Sequence, residues 1–157
     1  MREMTFDTRT VGGVAYALAI PLSAVTVIAK NHVTGLHTLT MNTTNVIRLD
    51  SLDDENFSFS ETHGRDEHGD FWDVNVRAVV PKACLANATT IEQLERGEWL
   101  VVSKDQNGVL RLSGDEDTLL TCASDATSGT AHVDANHTVL TFSGRLGHPS
   151  WLLENDL

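Results

Sequence analysis

Histidine and carboxylate side chains are dense between residues 61 and 70, and such side chains bind divalent metal ions. The candidates are Glu61, His63, Asp66, Glu67, His68 and Asp70. A metal bound by them would make the protein a metal-dependent hydrolase. His63 and His68 are, however, five residues apart in a glycine-containing stretch, without the helical spacing of a zinc motif. The pattern therefore favours an exposed, solvated acidic loop over residues 63–70, and no metal ligand is assigned.

Residues 105–108 have the sequence Asp-Gln-Asn-Gly, which is similar to the middle of a calcium-binding loop. An EF-hand would need an acidic ligand at position 103 and a glutamate at position 114. The chain has Ser103 and Gly114 there, so a turn explains the four residues better. The acidic run at residues 115–117 is likewise interpreted as a polar turn rather than as a cation site.

No catalytic motif is found in the sequence. The chain has no Gly-x-Ser-x-Gly, no nucleophilic cysteine with a nearby histidine, no phosphate-binding loop and no Rossmann fingerprint. We therefore predict that the protein is not an enzyme and has no catalytic, metal-binding or cofactor-binding residues and no cofactor. The alternative is a ligand-binding β-domain for a carbohydrate or small molecule, with a cleft that uses Trp72, Trp99 or Trp151.

The formal net charge of −11 over 157 residues argues against nucleic-acid binding, which requires a basic surface, and against an anionic membrane surface. The start of the chain lacks a secretory signal. The longest apolar run, residues 14–29, is interrupted by Pro21 and is too short to cross a membrane. The sequence thus predicts a cytoplasmic protein, or one that is assembled into a particle.

Two kinds of covalent modification are considered. Cys84 and Cys122 are too few for a disulfide scaffold, and whether they pair with each other stays open. Because no secretory signal is evident, the glycosylation sequons are interpreted as chance matches. They lie at Asn42, Asn87 and Asn136.

The element that organises the chain is a predicted β-hairpin over residues 98–114. A two-residue turn at Asn107 and Gly108 would place Lys104 opposite Arg111, which is unfavourable because like charges repel. A four-residue turn over residues 105–108, with Gly108 at positive φ as a bulge, matches the preference of such turns for Asp first and Gly fourth.

The second turn also keeps the apolar side chains of the hairpin together. It places Val102 opposite Leu112, and it puts Lys104 and Arg111 on opposite faces. A slip of one residue would exchange the two faces, so the apolar pattern selects this register. The apolar face then consists of Leu100, Val102, Leu110 and Leu112.

Other strands are predicted from alternation and turn residues. The clearest covers residues 71–80, with Trp72, Val74, Val76, Ala78 and Val80 on one face. Shorter strands are predicted at 16–20, 24–29, 36–41, 46–49, 57–60, 119–123 and 137–143, with a small-residue loop at 124–130. Residues 14–29 are expected to form two strands separated at Pro21.

One short helix is predicted at about residues 90–96. Thr90 would be its N-cap, Gln93 would complete a capping box, and Gly97 would be the C′ residue. Many short strands and one helix predict a mainly β fold, either an antiparallel β-barrel or a two-sheet sandwich.

The domain organisation is predicted to be a single β domain over residues 1–157. Residues 1–13 form a flexible N-terminal arm in this interpretation, and 50–73 form an acidic, partly looped segment. The tail, residues 144–157, contains the run Trp-Leu-Leu, which is expected to dock on the body of the domain.

Two segments carry a family resemblance. They are Trp-Leu-Val-Val-Ser-Lys-Asp-Gln-Asn-Gly-Val-Leu-Arg-Leu-Ser-Gly at 99–114 and Thr-Val-Leu-Thr-Phe-Ser-Gly at 138–144. Their order resembles small uncharacterised tail-morphogenesis proteins of phages and prophages of gut bacteria. In those proteins a strand, an Asp-x-Asn-Gly turn, a strand ending in glycine and a last strand ending in glycine recur.

The resemblance implies a non-enzymatic structural or assembly protein of a virion tail, such as a tail-tube-like or tail-completion subunit. It implies a β-sandwich or barrel with a flanking helix, and partners that are copies of the chain or other tail proteins. Such subunits form rings through sheet edges and loops that become ordered on assembly.

Overall fold

Eleven strands and one α-helix form the regular structure of the residues that the computed structural model describes, which are 12–50, 57–81, 85–127 and 137–154. The helix α1 is Leu85–Arg96, and a turn of 3-10 helix, Leu22–Ala24, follows the first strand. The strands are β1 (Val14–Pro21), β2 (Val25–Lys30), β3 (His37–Met41), β4 (Ile47–Asp50), β5 (Ser58–Asp66), β6 (Gly69–Pro81), β7 (Glu98–Asp105), β8 (Leu110–Ser113), β9 (Leu120–Thr127), β10 (His137–Leu146) and β11 (Trp151–Leu152).

Strand β7 is the point at which the main sheet branches. One of its edges pairs antiparallel with β1, which in turn pairs with β4. Its other edge is shared, because β8 pairs with residues 101–104 and β9 pairs with residues 98–99. One branch continues from β8 to β11, and the other runs from β9 through β10 and β6 to β5. Strands β2 and β3 form a separate two-stranded sheet.

This topology confirms the predicted fold class, which is mainly β and antiparallel with one helix. Within the described residues the main sheet does not close on itself, so the barrel form of that prediction is wrong. Sandwich-like packing of the sheets fits instead, because hydrophobic clusters fill the spaces between the layers.

The first of these clusters, here called the inner cluster, lies against the α1 and β6 side of β1 and β7. Its members come from β1, β6, β7, β9, β10 and α1, together with Phe57, which precedes β5. They are Val14, Ala17, Ala19, Phe57, Val74, Val76, Ala78, Leu94, Trp99, Val101, Leu120, Cys122, Leu140, Phe142 and Leu146.

The second, here called the outer cluster, lies on the opposite face of β1 and β7, under the β2–β3 sheet. Alternation along β1 and β7 therefore sends neighbouring residues into different clusters, so both strands are buried on both faces. Its members are Tyr16, Leu18, Ile20, Ala24, Leu39, Leu100, Val102, Leu110, Leu112 and Leu153.

The predicted register of the central hairpin is confirmed. Val102 pairs with Leu112 and Ser103 pairs with Arg111. The tip is closed by a hydrogen bond of 3.0 Å from the Gly108 N–H to the Asp105 carbonyl. Gly108 has φ +85°, and Asn107 does not have a positive φ, which excludes the type I′ turn at Asn107 and Gly108.

Two loops predicted from composition are wrong. Residues 63–70 are exposed, but they form the β5–β6 hairpin, in which Asp66 pairs with Gly69 around a two-residue turn. Residues 124–127 belong to β9 rather than to a loop, and 128–130 lie outside the described residues. In both segments, pairing with a neighbouring strand outweighs the low β propensity of Gly, Asp and Ser.

The predicted helix is correct at its end and wrong at its start. The helix α1 begins at Leu85, so Thr90 lies inside it and is not an N-cap. Gly97 follows the helix without a positive φ. A glycine is required there for space, because a Cβ on Gly97 would lie 2.7 Å from the Trp99 indole.

The remaining elements agree with the sequence pattern. The first strand ends at Pro21, as predicted. Strand β6 directs Val74, Val76 and Ala78 into the inner cluster. The tail docks on the body, since β11 pairs with β8 and Leu153 is buried. Most of the predicted N-terminal arm, residues 1–11, and residues 51–56 of the acidic segment lie outside the described residues. The assignment of residues 1–157 to one domain stays a prediction.

Candidate functional site

The His and carboxylate group of residues 61–70, which was considered as a metal site and not assigned as one, is divided between the two faces and the tip of the β5–β6 hairpin. Glu61 and His63 lie on the face of β5 that carries the cross-strand partners Val74 and Trp72. Asp66 lies on the opposite face, 3.9 Å from Arg145. Glu67 and His68 form the exposed turn. Within the described residues, no group of three or more His, Cys, Asp or Glu side chains is placed to hold a metal ion.

Asp70 is the centre of a small ion-pair group at the end of this hairpin. Its Oδ1 lies 3.4 Å from His63 Nε2 and 3.6 Å from Arg65 Nε, and all three side chains are about half exposed or more. Ion pairs in such contact with solvent contribute little to stability. They place the Asp70 carboxylate beside the Arg65 guanidinium and the His63 imidazole.

The Asp105 carboxylate at the tip of the central hairpin is occupied by hydrogen bonds from the chain itself. Asp105 Oδ1 accepts hydrogen bonds of 2.9 Å from the N–H groups of Asn107 and Val109, and Oδ2 accepts one of 3.0 Å from Arg111. Burial raises the pKa of Asp105, but the bonds from Val109 and Arg111 outweigh it and hold the pKa below its ordinary value. The turn interpretation of residues 105–108 is confirmed.

Asp115 forms a second saturated turn, as predicted for residues 115–117. Its Oδ1 accepts from the N–H groups of Asp117 and Thr118, and its Oδ2 lies 2.8 Å from His148 Nε2. Burial raises the pKa of Asp115. The hydrogen bonds from His148 and the two backbone N–H groups lower it by more, so the pKa lies below its ordinary value.

The three tryptophans occupy different surroundings and do not line one cleft. Trp99 is 3% exposed, and its indole N–H donates to the Leu94 carbonyl at 2.9 Å. Trp72 is half-buried beside His63 on the inner side of the sheet. Trp151 lies at the edge of the outer cluster. Trp99 lines a shallow pocket with Pro21 and the end of α1, so a cleft that uses one of the three tryptophans stays a prediction.

A stack of three rings around Trp151 is the feature that the sequence did not reveal. The indole lies between the imidazoles of His37 and His148, with ring centroids 4.4 and 4.3 Å away and planes within about 10° of parallel. Burial, then the positive charges of Lys30 and His148, lower the pKa of His37. Residue 37 is more than a hundred positions from residue 148, so no local pattern could join them.

The segment after β10, which carries Trp151 and His148 of this stack, also forms hydrogen bonds to three other parts of the fold. The Ser150 N–H donates to Glu61 Oε2 on β5 at 2.7 Å, and the hydroxyls of Ser150 and Ser113 are 2.9 Å apart. The Glu154 N–H donates to the His37 carbonyl on β3 at 2.8 Å. The contacts explain why the tail docks on the body and give it a connecting role.

A cleft of about 410 Å³ lies between β4, α1 and the end of β6. Its volume falls within the range of small-molecule pockets. Its floor is apolar, and the polar groups of Arg48, Asp50, Asn87 and Thr90 lie around it. The apolar floor is formed by Ile47, Leu49, Phe57, Ala78, Val80, Ile91, Leu94 and Leu140, and it includes no tryptophan.

The cysteines and sequons give no further site. Cys122 is a buried free thiol, and burial with the nearby Glu95 charge raises its pKa to about 11, so it is a poor nucleophile. Cys84 and Asn136 lie outside the described residues. Asn42 lies in an exposed turn after β3, and Asn87 lies in α1 at the cleft.

Comparison of the chain with known protein families, curated protein sequences and solved structures found no match. Among the described residues, no helix is both long and apolar enough to cross a membrane.

Proposed function

We propose that the protein is a non-enzymatic structural or assembly protein that forms oligomers through its sheet edges and loops, as a component of a phage or prophage tail. The observation that carries the assembly proposal is β5. This nine-residue strand ends the main sheet, and no described strand covers its outer edge. Unpaired strand edges are templates for pairing with another chain, which favours a role in assembly.

The exposed β2–β3 hairpin supports the same proposal. Val33 at its tip is 94% exposed, and Val27 on β2 is 49% exposed. Apolar side chains at such positions gain free energy when another subunit covers them. The assignment to a phage tail rests on the resemblance of residues 99–114 and 138–144.

The test is the mass of the full chain as a function of concentration, measured by sedimentation velocity, with negative-stain electron microscopy of the concentrated sample. We expect a rise from monomer to dimers, rings or larger assemblies. Mass spectrometry of tail particles from an induced culture should then detect the chain. A strict monomer at high concentration that is absent from such particles would overturn the proposal.

The cleft favours a second candidate function, a ligand-binding β-domain. Its apolar floor suits an apolar small molecule better than a carbohydrate, because a sugar's hydroxyl groups would lose hydrogen bonds to water there. Titration of small apolar fragments should shift the methyl resonances of Ile91 and Leu140. An Ile91→Trp substitution, which fills the cleft, should abolish the shift of Leu140. Unchanged spectra at millimolar fragment would remove this candidate.

A further inference from the structure

The β5–β6 hairpin determines which backbone groups of β5 are available to a partner. Asp66 pairs with Gly69 across a two-residue turn, and the register continues to Ser58 and Arg77 without a bulge. The residues that flank a two-residue turn form a hydrogen-bonded pair, and such pairs alternate along an antiparallel ladder. The even-numbered residues of β5 therefore bond to β6, and the odd-numbered ones direct their N–H and C=O groups to the outer edge.

The chain's own contacts agree with this alternation. The carbonyl of Phe57, an odd-numbered residue, accepts a hydrogen bond of 3.3 Å from the Val14 N–H. Beyond that point, within the described part of the chain, the outer edge of β5 has no backbone partner. The residues whose backbone groups face outward are Phe59, Glu61, His63 and Arg65.

Charged side chains are the main protection against pairing along this edge. Natural edge strands are usually short, carry bulges, prolines or charges, especially lysines, or are covered by a helix or loop. Strand β5 has nine residues, no proline and no lysine, and Arg65 is its one basic residue apart from His63. An edge of this length and regularity suits a partner strand of the same length.

The side chains of β5 are complementary to a second copy in one antiparallel register. Thr62 is the midpoint of Ser58–Asp66, so pairing Thr62 with the partner's Thr62 matches all nine residues. This register puts Glu61 opposite the partner's His63, and Phe59 opposite the partner's Arg65. A carboxylate beside an imidazole, and a cation beside an aromatic ring, are favourable in such positions.

Neighbouring symmetric registers are poorer. Centring the pair on Glu61 places two carboxylates opposite each other, and centring it on His63 places two imidazoles opposite each other. Each also leaves part of the nine-residue ladder unpaired. Because register is selected by such cross-strand pairs, the charge pattern favours the arrangement centred on Thr62.

We propose that β5 pairs antiparallel with β5 of a second copy of the chain, with Thr62 on the two-fold axis. The branch that ends in β5 in one copy then joins the same branch of the second copy, and the two form one continuous sheet across a closed, two-fold interface. This inference rests on the proposed assembly function and names both the partner and the register.

The test uses a Thr62→Cys variant of the full chain. Even-numbered residues of β5 form non-hydrogen-bonded pairs with the partner strand, in which Cα atoms are about 4.5 Å apart, within disulfide range. Mild oxidation should therefore link most of the protein as dimers, with a 62–62 disulfide identified by peptide mass mapping. The matched control is Ser60→Cys, whose two copies would lie more than about 10 Å apart and should cross-link at least tenfold less.

A second variant, His63→Pro, removes an N–H that faces the partner and not β6, so the hairpin keeps its own ladder. We expect at least a tenfold weaker self-association by sedimentation, with an unchanged circular dichroism spectrum. Equal cross-linking of the two cysteine variants, or unchanged association of His63→Pro, would overturn the inference. Oligomers that form in that case would leave the assembly proposal standing, whereas a chain that stays monomeric would remove both.

Discussion

Two hairpins of the main sheet, β7–β8 and β5–β6, have the same tip sequence, Asp-x-x-Gly, and different surroundings. In β7–β8 the tip is residues 105–108, and in β5–β6 it is residues 66–69. Both glycines have positive φ, +85° at Gly108 and +123° at Gly69. In both, the Asp side chain accepts a backbone N–H two residues later, from Asn107 or from His68. The Asp and Gly residues thus form a tip in both hairpins, although Asp66 pairs directly with Gly69, whereas the Asp105 N–H donates to the Val109 carbonyl beyond Gly108.

Their surroundings differ in two respects. The Asp105 carboxylate also holds Val109 and Arg111, whereas Asp66 reaches only Arg145, at 3.9 Å. Strand β7 is covered on both faces and paired along both edges, whereas β5 has one wet face and an edge without a strand partner in the described residues. The first hairpin is enclosed by the fold, and in the second the outer backbone groups of β5 have no strand partner among the described residues.

The largest expected effect tests the burial of β7 on both faces. Val101→Ala and Val102→Ala remove neighbouring side chains, both 0% exposed, from different clusters. Each should lower the free energy of unfolding by about 2–3 kcal/mol, through lost burial and a cavity. In β6, Val76→Ala should cost the same, but its exposed neighbour Asn75→Ala should cost less than about 0.5 kcal/mol.

Urea unfolding of the four variants gives these values. If Val101→Ala lowered the free energy of unfolding by no more than Asn75→Ala does, one face of β7 would not be packed. The two-sided burial of the central hairpin would then be wrong.

A smaller effect separates the two tips. Asp105→Ala removes an acceptor for two backbone N–H groups and Arg111, so it should lower the free energy of unfolding by about 1–3 kcal/mol. Asp66→Ala removes one backbone hydrogen bond and an exposed ion pair, and should cost about 1 kcal/mol or less. Denaturant midpoints compare the two, and a larger loss in Asp66→Ala would contradict the difference drawn between the hairpins.

The smallest effect concerns pH. The folded state holds the pKa of Asp105 below its ordinary value. Its charged form therefore stabilises the fold above the unfolded pKa of 3.8, and this contribution is lost as pH falls below 3.8 through the folded pKa. The wild-type chain should exceed Asp105→Asn in stability at pH 6, and the gap should narrow towards pH 3. Urea titrations at both values measure it, and a gap independent of pH would refute the role of this charge.

Much of the fold was predictable because its signals are local. The turn preference of Asp and Gly, together with the apolar alternation, determines the register of β7–β8. Pro21 separates β1 from β2, because a proline cannot donate to a central ladder. The period of two in β6 identifies the face that enters the inner cluster. Each of these effects acts within about ten residues of the chain.

Prediction failed where residue composition was weighed and cross-strand pairing was not. The sequence of residues 63–70 is polar and rich in glycine, but β6 pairs with it and makes it a strand. A Cβ on Gly64 would lie 2.3 Å from the Phe71 ring, so this glycine makes room for a cross-strand aromatic side chain. Composition could not reveal that contact, although the Asp-x-x-Gly tip common to both hairpins was a usable signal.

The candidate sites depend even more on tertiary structure. The ring stack joins His37 to Trp151 and His148, the cleft joins β4 to α1, and the outer edge of β5 exists because the sheet ends there. No spacing of residues in the sequence predicts any of these three features.

The amino-acid sequence by itself determined the class of fold, the turns and the faces of the strands, because hydrogen bonding and side-chain alternation act between near neighbours. Only the tertiary structure decided which strand is central and which is an edge. That choice depends on the burial of apolar surface between layers, and burial is a property of the whole packed chain.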